Sequence, residues 1–184
     1  SYNILLSQAP KHGAHWELFA SPGSGVLRLY IPQVSATENF GGGPSCADGQ
    51  WHYVALRFHQ RAIELYVDGQ PAVKKETTTR LAFGELPLYL GGIAGDTLAC
   101  DGAMDELHIS RRTDDPAGTV PTGPAQPLPT TLHLFHFERV ADGIVPDDAP
   151  GATGGGQIID RYTRPIGGRF LDEVQDEMYA KSSL

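Results

Sequence analysis

The chain has 184 residues, enough for one sizeable domain with an appendage and too few for most two-domain enzymes. Hydrophobic residues make up 40% and charged residues 20%, while Gly (22) and Pro (14) are abundant, a balance that favours short strands and many turns over long helices. A formal net charge of −8 argues against nucleic acid or an anionic membrane as the main partner, and no apolar run approaches the roughly 18 residues of a membrane span.

The chain opens on Ser1-Tyr2-Asn3 with no leader pattern and reads as a mature or excised piece of a larger protein. Trp16, Leu18 and Ala20 alternate with His15, Glu17 and Phe19 up to Ser21-Pro22-Gly23, and Val26 to Ile31 follows and stops at Pro32. Two short strands about a Pro-Gly turn make a hairpin. Residues 38–49, rich in Gly, Asn and Ser and containing Cys46, read as a loop. From Trp51 to Phe58 a strand is expected, with Trp51, Tyr53, Ala55 and Arg57 on one face and His52, Val54, Leu56 and Phe58 on the other. Ile63-Glu64-Leu65-Tyr66-Val67 is the clearest strand, closed by Asp68-Gly69, a pair suited to the positive φ values of a tight hairpin turn. Pro71-Ala72-Val73 leads back out, Leu86 to Leu90 is a further short strand closed by Gly91-Gly92, and Gly102 to Ser110 the last. Strands at intervals of about 8–15 residues, with no segment of helical period, define an all-β, antiparallel sandwich or barrel.

These residues resemble a family. Gly49-Gln50-Trp51-His52-Tyr53-Val54-Ala55, Ile63 to Gln70, Pro87-Leu88-Tyr89-Leu90-Gly91-Gly92 and Gly102 to Ser110 are similar, in order and spacing, to the centre and closing strand of a laminin-G-like module of the concanavalin A-like lectin/glucanase superfamily. The likeness covers residues 4–112 or so. It implies a two-sheet jelly-roll β-sandwich, usually secreted and usually non-catalytic. The expected organisation is therefore a sandwich over 1–112, a linker or surface strap over 113–131 with prolines at 116, 121, 124, 127 and 129, and an added strand with an acidic tail over 132–184. The chain enters at Ile4, where such modules have already laid down their first strands, while Thr131 to Glu138 resembles an opening strand, with Glu138-Arg139 in place of the family's usual acidic pair. That segment either starts a second, truncated module or supplies the missing edge strand; an unfilled sandwich exposes ladder groups and apolar surface, which favours completion by 132–138 or by another polypeptide. In the partly irregular tail, Phe170 to Tyr179 has the spacing of a short acidic helix.

Chemistry is sparser. Cys46 and Cys100 each precede a strand, and a disulfide between them is expected, with two buried thiols as the other reading. His133 and His136, three apart, fall on opposite strand faces, as do His12 and His15, which discourages a zinc site. Asp101, Asp105, Asp147 and Asp148 stand near glycine-rich turns that offer hard oxygen ligands for calcium. Related modules often hold a structural calcium near where first and last strands meet, and the resemblance points to Asp105 and Asp147. A lectin-fold hydrolase needs two carboxylates about 5 Å apart on one face; its alternating signature is missing, and the adjacent Asp105-Glu106 point to opposite faces. The favoured function is a non-catalytic binding or adhesion module of an exported (secreted, periplasmic or cell-surface) protein, recognising carbohydrate or a protein partner. Trp16, Tyr30, Tyr89 and Trp51 are the sugar-stacking candidates. The alternative is a structural or assembly subunit whose missing strands come from another chain.

Overall fold

The computed structural model describes residues 2–8, 15–59, 61–78, 81, 87–93, 98–111 and 116–159. The helix expected over 170–179, and His12, lie outside them. Among the described residues the protein is all-β, with twelve strands and no helix. The chain divides into two compact units, one of Ser1–Cys100 with Asp115–Val120, the other of Asp101–Asp114 with Pro121–Leu184.

In the first unit, β1 (Asn3–Gln8), β2 (Trp16–Ala20), β3 (Val26–Tyr30), β4 (Phe40–Ser45) and β8 (Leu88–Leu90) form a five-stranded sheet in the order β4-β3-β2-β1-β8. A second sheet contains β5 (Val54–His59), β6 (Ala62–Val67) and β7 (Gln70–Glu76) in that order. Period-two alternation decides what each strand buries. Trp16, Leu18 and Ala20 of β2 and Leu27 and Leu29 of β3, continued by Ile31, meet Ile63, Leu65 and Val67 of β6 in one cluster between the sheets. Leu27, Leu29, Ile63 and Leu65 are wholly inaccessible. Val54, Leu56 and Phe58 of β5 pack against this cluster, on the face the sequence pattern assigns them. The two sheets thus form a sandwich.

The outer side of the five-stranded sheet has its own small cluster of Ile4, Phe19 and Ile93. Ile4 opposes Phe19 while Leu6 opposes Leu18, because the register slips between Ile4 and Leu6. One extra residue in β1 lets Ile4 serve the outer face and Leu6 the inner one, although they stand two apart. Polar groups are buried here as well: His15 Nε2 meets Glu17 Oε1 at 2.6 Å, and Nδ1 meets the carbonyl of Gln8.

Residues 38–49 differ from the expected loop, since Phe40–Ser45 forms β4 and pairs with β3 through Leu29↔Phe40, Arg28↔Gly41 and Val26↔Ser45. Its glycines reflect close approach rather than slack. A Cβ on Gly41 would strike the carbonyl oxygen of Leu27 and the Arg28 side chain, and one on Gly42 would lie 2.5 Å from the carbonyl oxygen of Ala72 in β7.

In the second unit, β9 (Leu107–Ser110) pairs antiparallel with β10 (Thr131–Phe135), and β11 (Ile144–Pro146) with β12 (Gly155–Gln157). The segment resembling an opening strand is therefore hydrogen-bonded within this chain to the strand read as closing the module. Leu134 of β10 is wholly buried. Residues 116–130 contain no regular element; Arg111 N–H donates to the Thr130 carbonyl, and Leu128 N–H to the Thr131 hydroxyl.

Truncating Leu65 to alanine is expected to lower stability by about 2–5 kcal/mol in urea unfolding. Gly41→Ala should cost more than about 1 kcal/mol, whereas Gly123→Ala, with nothing within 4 Å of the new methyl, stays within about 0.5 kcal/mol. Equal effects at the two glycines would contradict the close approach of β3 to β4.

Candidate functional site

The four aromatic candidates separate by burial. Trp16 is 8% exposed and meets Phe58 edge to face at 5.5 Å between ring centroids, so it belongs to the core. Tyr30 is half-buried, its hydroxyl donating to the Ala36 carbonyl, and Tyr89 is half-buried on β8. Trp51 is 71% exposed. It precedes β5, between the turn at residues 48–50 and the first residues of the strand, and a set of polar contacts holds the backbone on both sides of it.

That set centres on His52. Its Nδ1 lies 2.8 Å from Asp68 Oδ2 and its Nε2 3.0 Å from Asp48 Oδ1. Asp68 Oδ1 accepts the Tyr53 N–H, and the Asp68 N–H donates to the Tyr53 carbonyl. Asp48 Oδ1 also accepts the Gln50 N–H, closing a turn around its own side chain. Asp68 and Gly69 have φ values of +52° and +72°, the left-handed pair expected of the Asp-Gly turn between β6 and β7. With a carboxylate at each ring nitrogen, His52 donates from both, which is the pattern of an imidazolium. Hydrogen bonds to Asp68 and then to Asp48 raise its pKa, outweighing its desolvation. The bond from His52 and then the Tyr53 N–H hold Asp68 below the usual carboxylate range; the Gln50 N–H and then His52 do the same for Asp48.

Cys46 feels the same two carboxylates. Its own burial and then the charges of Asp68 and Asp48 push the thiol pKa up, so it stays protonated and is a poor nucleophile. The expected disulfide is corrected here, because Cys46 and Cys100 are half-buried thiols that are not bonded to each other. Cys46 N–H donates to the Gly25 carbonyl beside β4, and Cys100 N–H to the Gly91 carbonyl beside β8, and these strands are opposite edges of the five-stranded sheet. Four strand spacings separate them by about 19 Å, far beyond the roughly 7 Å that a disulfide spans between Cα atoms.

The calcium candidates are placed as follows. Asp147 lies beneath β10, its Oδ1 accepting the N–H groups of Leu134 and Ala149 and its Oδ2 2.6 Å from His133 Nδ1. Burial pushes its pKa up, and those three partners more than reverse the shift. Its carboxylate thus ties β10 to the chain before β12. Asp105 is exposed and accepts the N–H of Glu106, while Asp148 takes Arg139 at 2.8 Å. Among the described residues, the cluster of metal-capable side chains is instead Glu106, His136 and Glu138. His136 and Glu138 stand two apart just beyond β10, and Phe137 between them has φ +64°, so strand alternation is not what brings them together. Glu106 has φ +54°, outside the strand alternation, so its adjacency to Asp105 does not fix where it points.

The family model described as the concanavalin A-like lectin/glucanases superfamily, of the laminin-G type, matches residues 1–117, more than half of the chain. The chain belongs to this family. No curated protein matches it, and no solved structure does.

The clamp around His52 has a pH signature. The raised imidazole pKa gives stability that is complete below the ordinary value of about 6.5 and fades as pH rises through the folded value; the lowered carboxylates give stability complete above about 3.9 and lost as pH falls through theirs. The Tm difference between the parent and Asp68→Asn is therefore expected to be largest between about pH 4 and 6.5 and to shrink on both sides. A difference that stays flat from pH 5 to 9 would exclude an ionic clamp.

Proposed function

We propose that this chain is a non-catalytic binding module of an exported protein and that it takes carbohydrate on Trp51. The observation that carries this reading is the 71% exposure of the Trp51 indole on a backbone that Asp48, His52 and Asp68 hold in place. A large aromatic side chain in water contributes nothing to the core, and its flat apolar face suits the apolar face of a pyranose ring. The turn at residues 48–50, closed by the Gln50 N–H on Asp48, directly precedes Trp51 in the chain and carries polar groups of the kind that sugar hydroxyls pair with. Membership of a family that includes lectins favours the same ligand class, and export to a secreted, periplasmic or cell-surface location rests on the family alone.

Of the two glutamates buried among the described residues of the first unit, Glu17 is bonded to His15 and Glu64 is not set as a glycosidase acid. Glu64, on β6, is ringed by Arg57 at 3.3 Å, His59 at 3.4 Å and Lys74 at 3.4 Å. Its desolvation raises the pKa, and the bonds from His59 and Lys74 with the charge of Arg57 bring it below the ordinary value. A glycosidase acid requires the opposite shift.

Screening the purified chain and Trp51→Ala against a broad panel of glycans tests the proposal. The parent should bind at least one class, and the variant should lose about tenfold or more of that affinity while its stability changes by no more than about 0.5 kcal/mol. Glycan binding that survives Trp51→Ala would move the site elsewhere. A parent that binds no glycan but forms a stoichiometric complex with another protein would replace this reading with the assembly role.

A further inference from the structure

Glu106, His136 and Glu138 each bring one ligand atom into a group whose members all lie within 4.8 Å of one another. They come from two stretches of chain that the β9–β10 ladder aligns. Glu106 immediately precedes β9, whose Leu107 opposes Phe135 of β10, and His136 immediately follows Phe135. The ladder therefore brings the backbones at Glu106 and His136 together whether or not anything is bound. Glu106 is held further by its other oxygen, since Oε2 accepts the Ala125 N–H at 2.8 Å while Oε1 lies 2.7 Å from His136 Nδ1. Glu138 is exposed and joins the group from two residues beyond His136, across the left-handed Phe137.

We propose that Glu106, His136 and Glu138 bind a divalent transition-metal ion of the zinc type. Two carboxylates and a neutral imidazole carry a charge of −2 and meet a divalent cation without excess. The mixed nitrogen and oxygen donors suit zinc and its neighbours, whereas calcium takes six to eight oxygens. Zinc bonds of about 2.0–2.2 Å in tetrahedral geometry place ligand atoms about 3.3 Å apart. The Glu106–His136 pair must open slightly to reach that spacing, and Glu138 supplies the remaining movement by a change of rotamer. The ion takes the place of the proton shared between His136 and Glu106, so binding releases that proton to solvent when the imidazole starts out charged. Three protein ligands leave the fourth position to water. The Ala125 N–H then acts as the outer contact that orients a ligating carboxylate. The site is independent of Trp51. It joins Glu106, inside the family's matched residues, to His136 and Glu138, beyond them.

Calorimetric titration of the full chain with zinc chloride tests the assignment, with His136→Ala, Glu138→Gln and a parallel calcium titration. Seven histidines make weak background binding certain, so the readout is the loss on substitution. One saturable event per chain is expected, weakened about tenfold or more in both variants. Glu138 is exposed and Glu138→Gln keeps its size, so that variant remains folded and informative even if His136→Ala is unstable. Zinc binding that Glu138→Gln leaves unchanged overturns the proposal. So does saturable binding of calcium with none of zinc.

Discussion

The sandwich rests on one contact, the inner face of β6 against the inner faces of β2 and β3. Ile63, Leu65 and Val67 on one side and Leu18, Leu27, Leu29 and Ile31 on the other are removed from water almost completely. Each such side chain is worth about 1.5–3 kcal/mol of transfer free energy, and close packing makes the contact intolerant of lost volume. Other features of the first unit answer to this layer. The bulge in β1 keeps Leu6 facing inward, Trp16 completes the layer at one end with Phe58, and the hairpin from β6 to β7 holds the second sheet in register over it. That hairpin also delivers Asp68, so the turn that shapes the core holds His52 as well.

Exposure of Trp51 gains meaning from this arrangement. A mobile loop would lose much of the benefit of stacking to the entropy of ordering itself around a ligand. Here the backbone is already held through Asp68 on one side and the Asp48 turn on the other, so the ring is presented on rigid support. The residues that hold it are mostly charged and lie at the rim, where replacing one alters pH dependence more than overall stability.

Alternation and turn chemistry made the hairpins legible. The β6 strand and its Asp68-Gly69 turn could be read directly, because period-two burial and the need for positive φ leave few other residue choices. The β4 strand could not, because Gly41 and Gly42 there relieve contacts with β3 and β7 that no local pattern encodes. The cysteines misled for a related reason: distance from the next strand says nothing about which edge of a sheet that strand occupies. Among the aromatic candidates, sequence supplied the set and burial selected from it. Trp16 and Trp51 differ only in whether the chain around them continues as a strand with a covered inner face. The Glu106, His136 and Glu138 group depends on the β9–β10 register and on left-handed residues at 106 and 137, which strand alternation does not encode.

The glycines of β4 have a consequence for solubility. A strand at the margin of a sheet offers unpaired backbone groups to any other chain that can extend the ladder. At β4 that margin is shielded: Gly42 lies so close to the Ala72 carbonyl that the edges of the two sheets meet there, and Pro44 removes one donor. At the opposite margin of the same sheet, β8 is only three residues long. A sheet with one edge shut by its neighbour and the other too short to template has little to offer an incoming strand, so growth of the ladder into a fibril is disfavoured on this sheet.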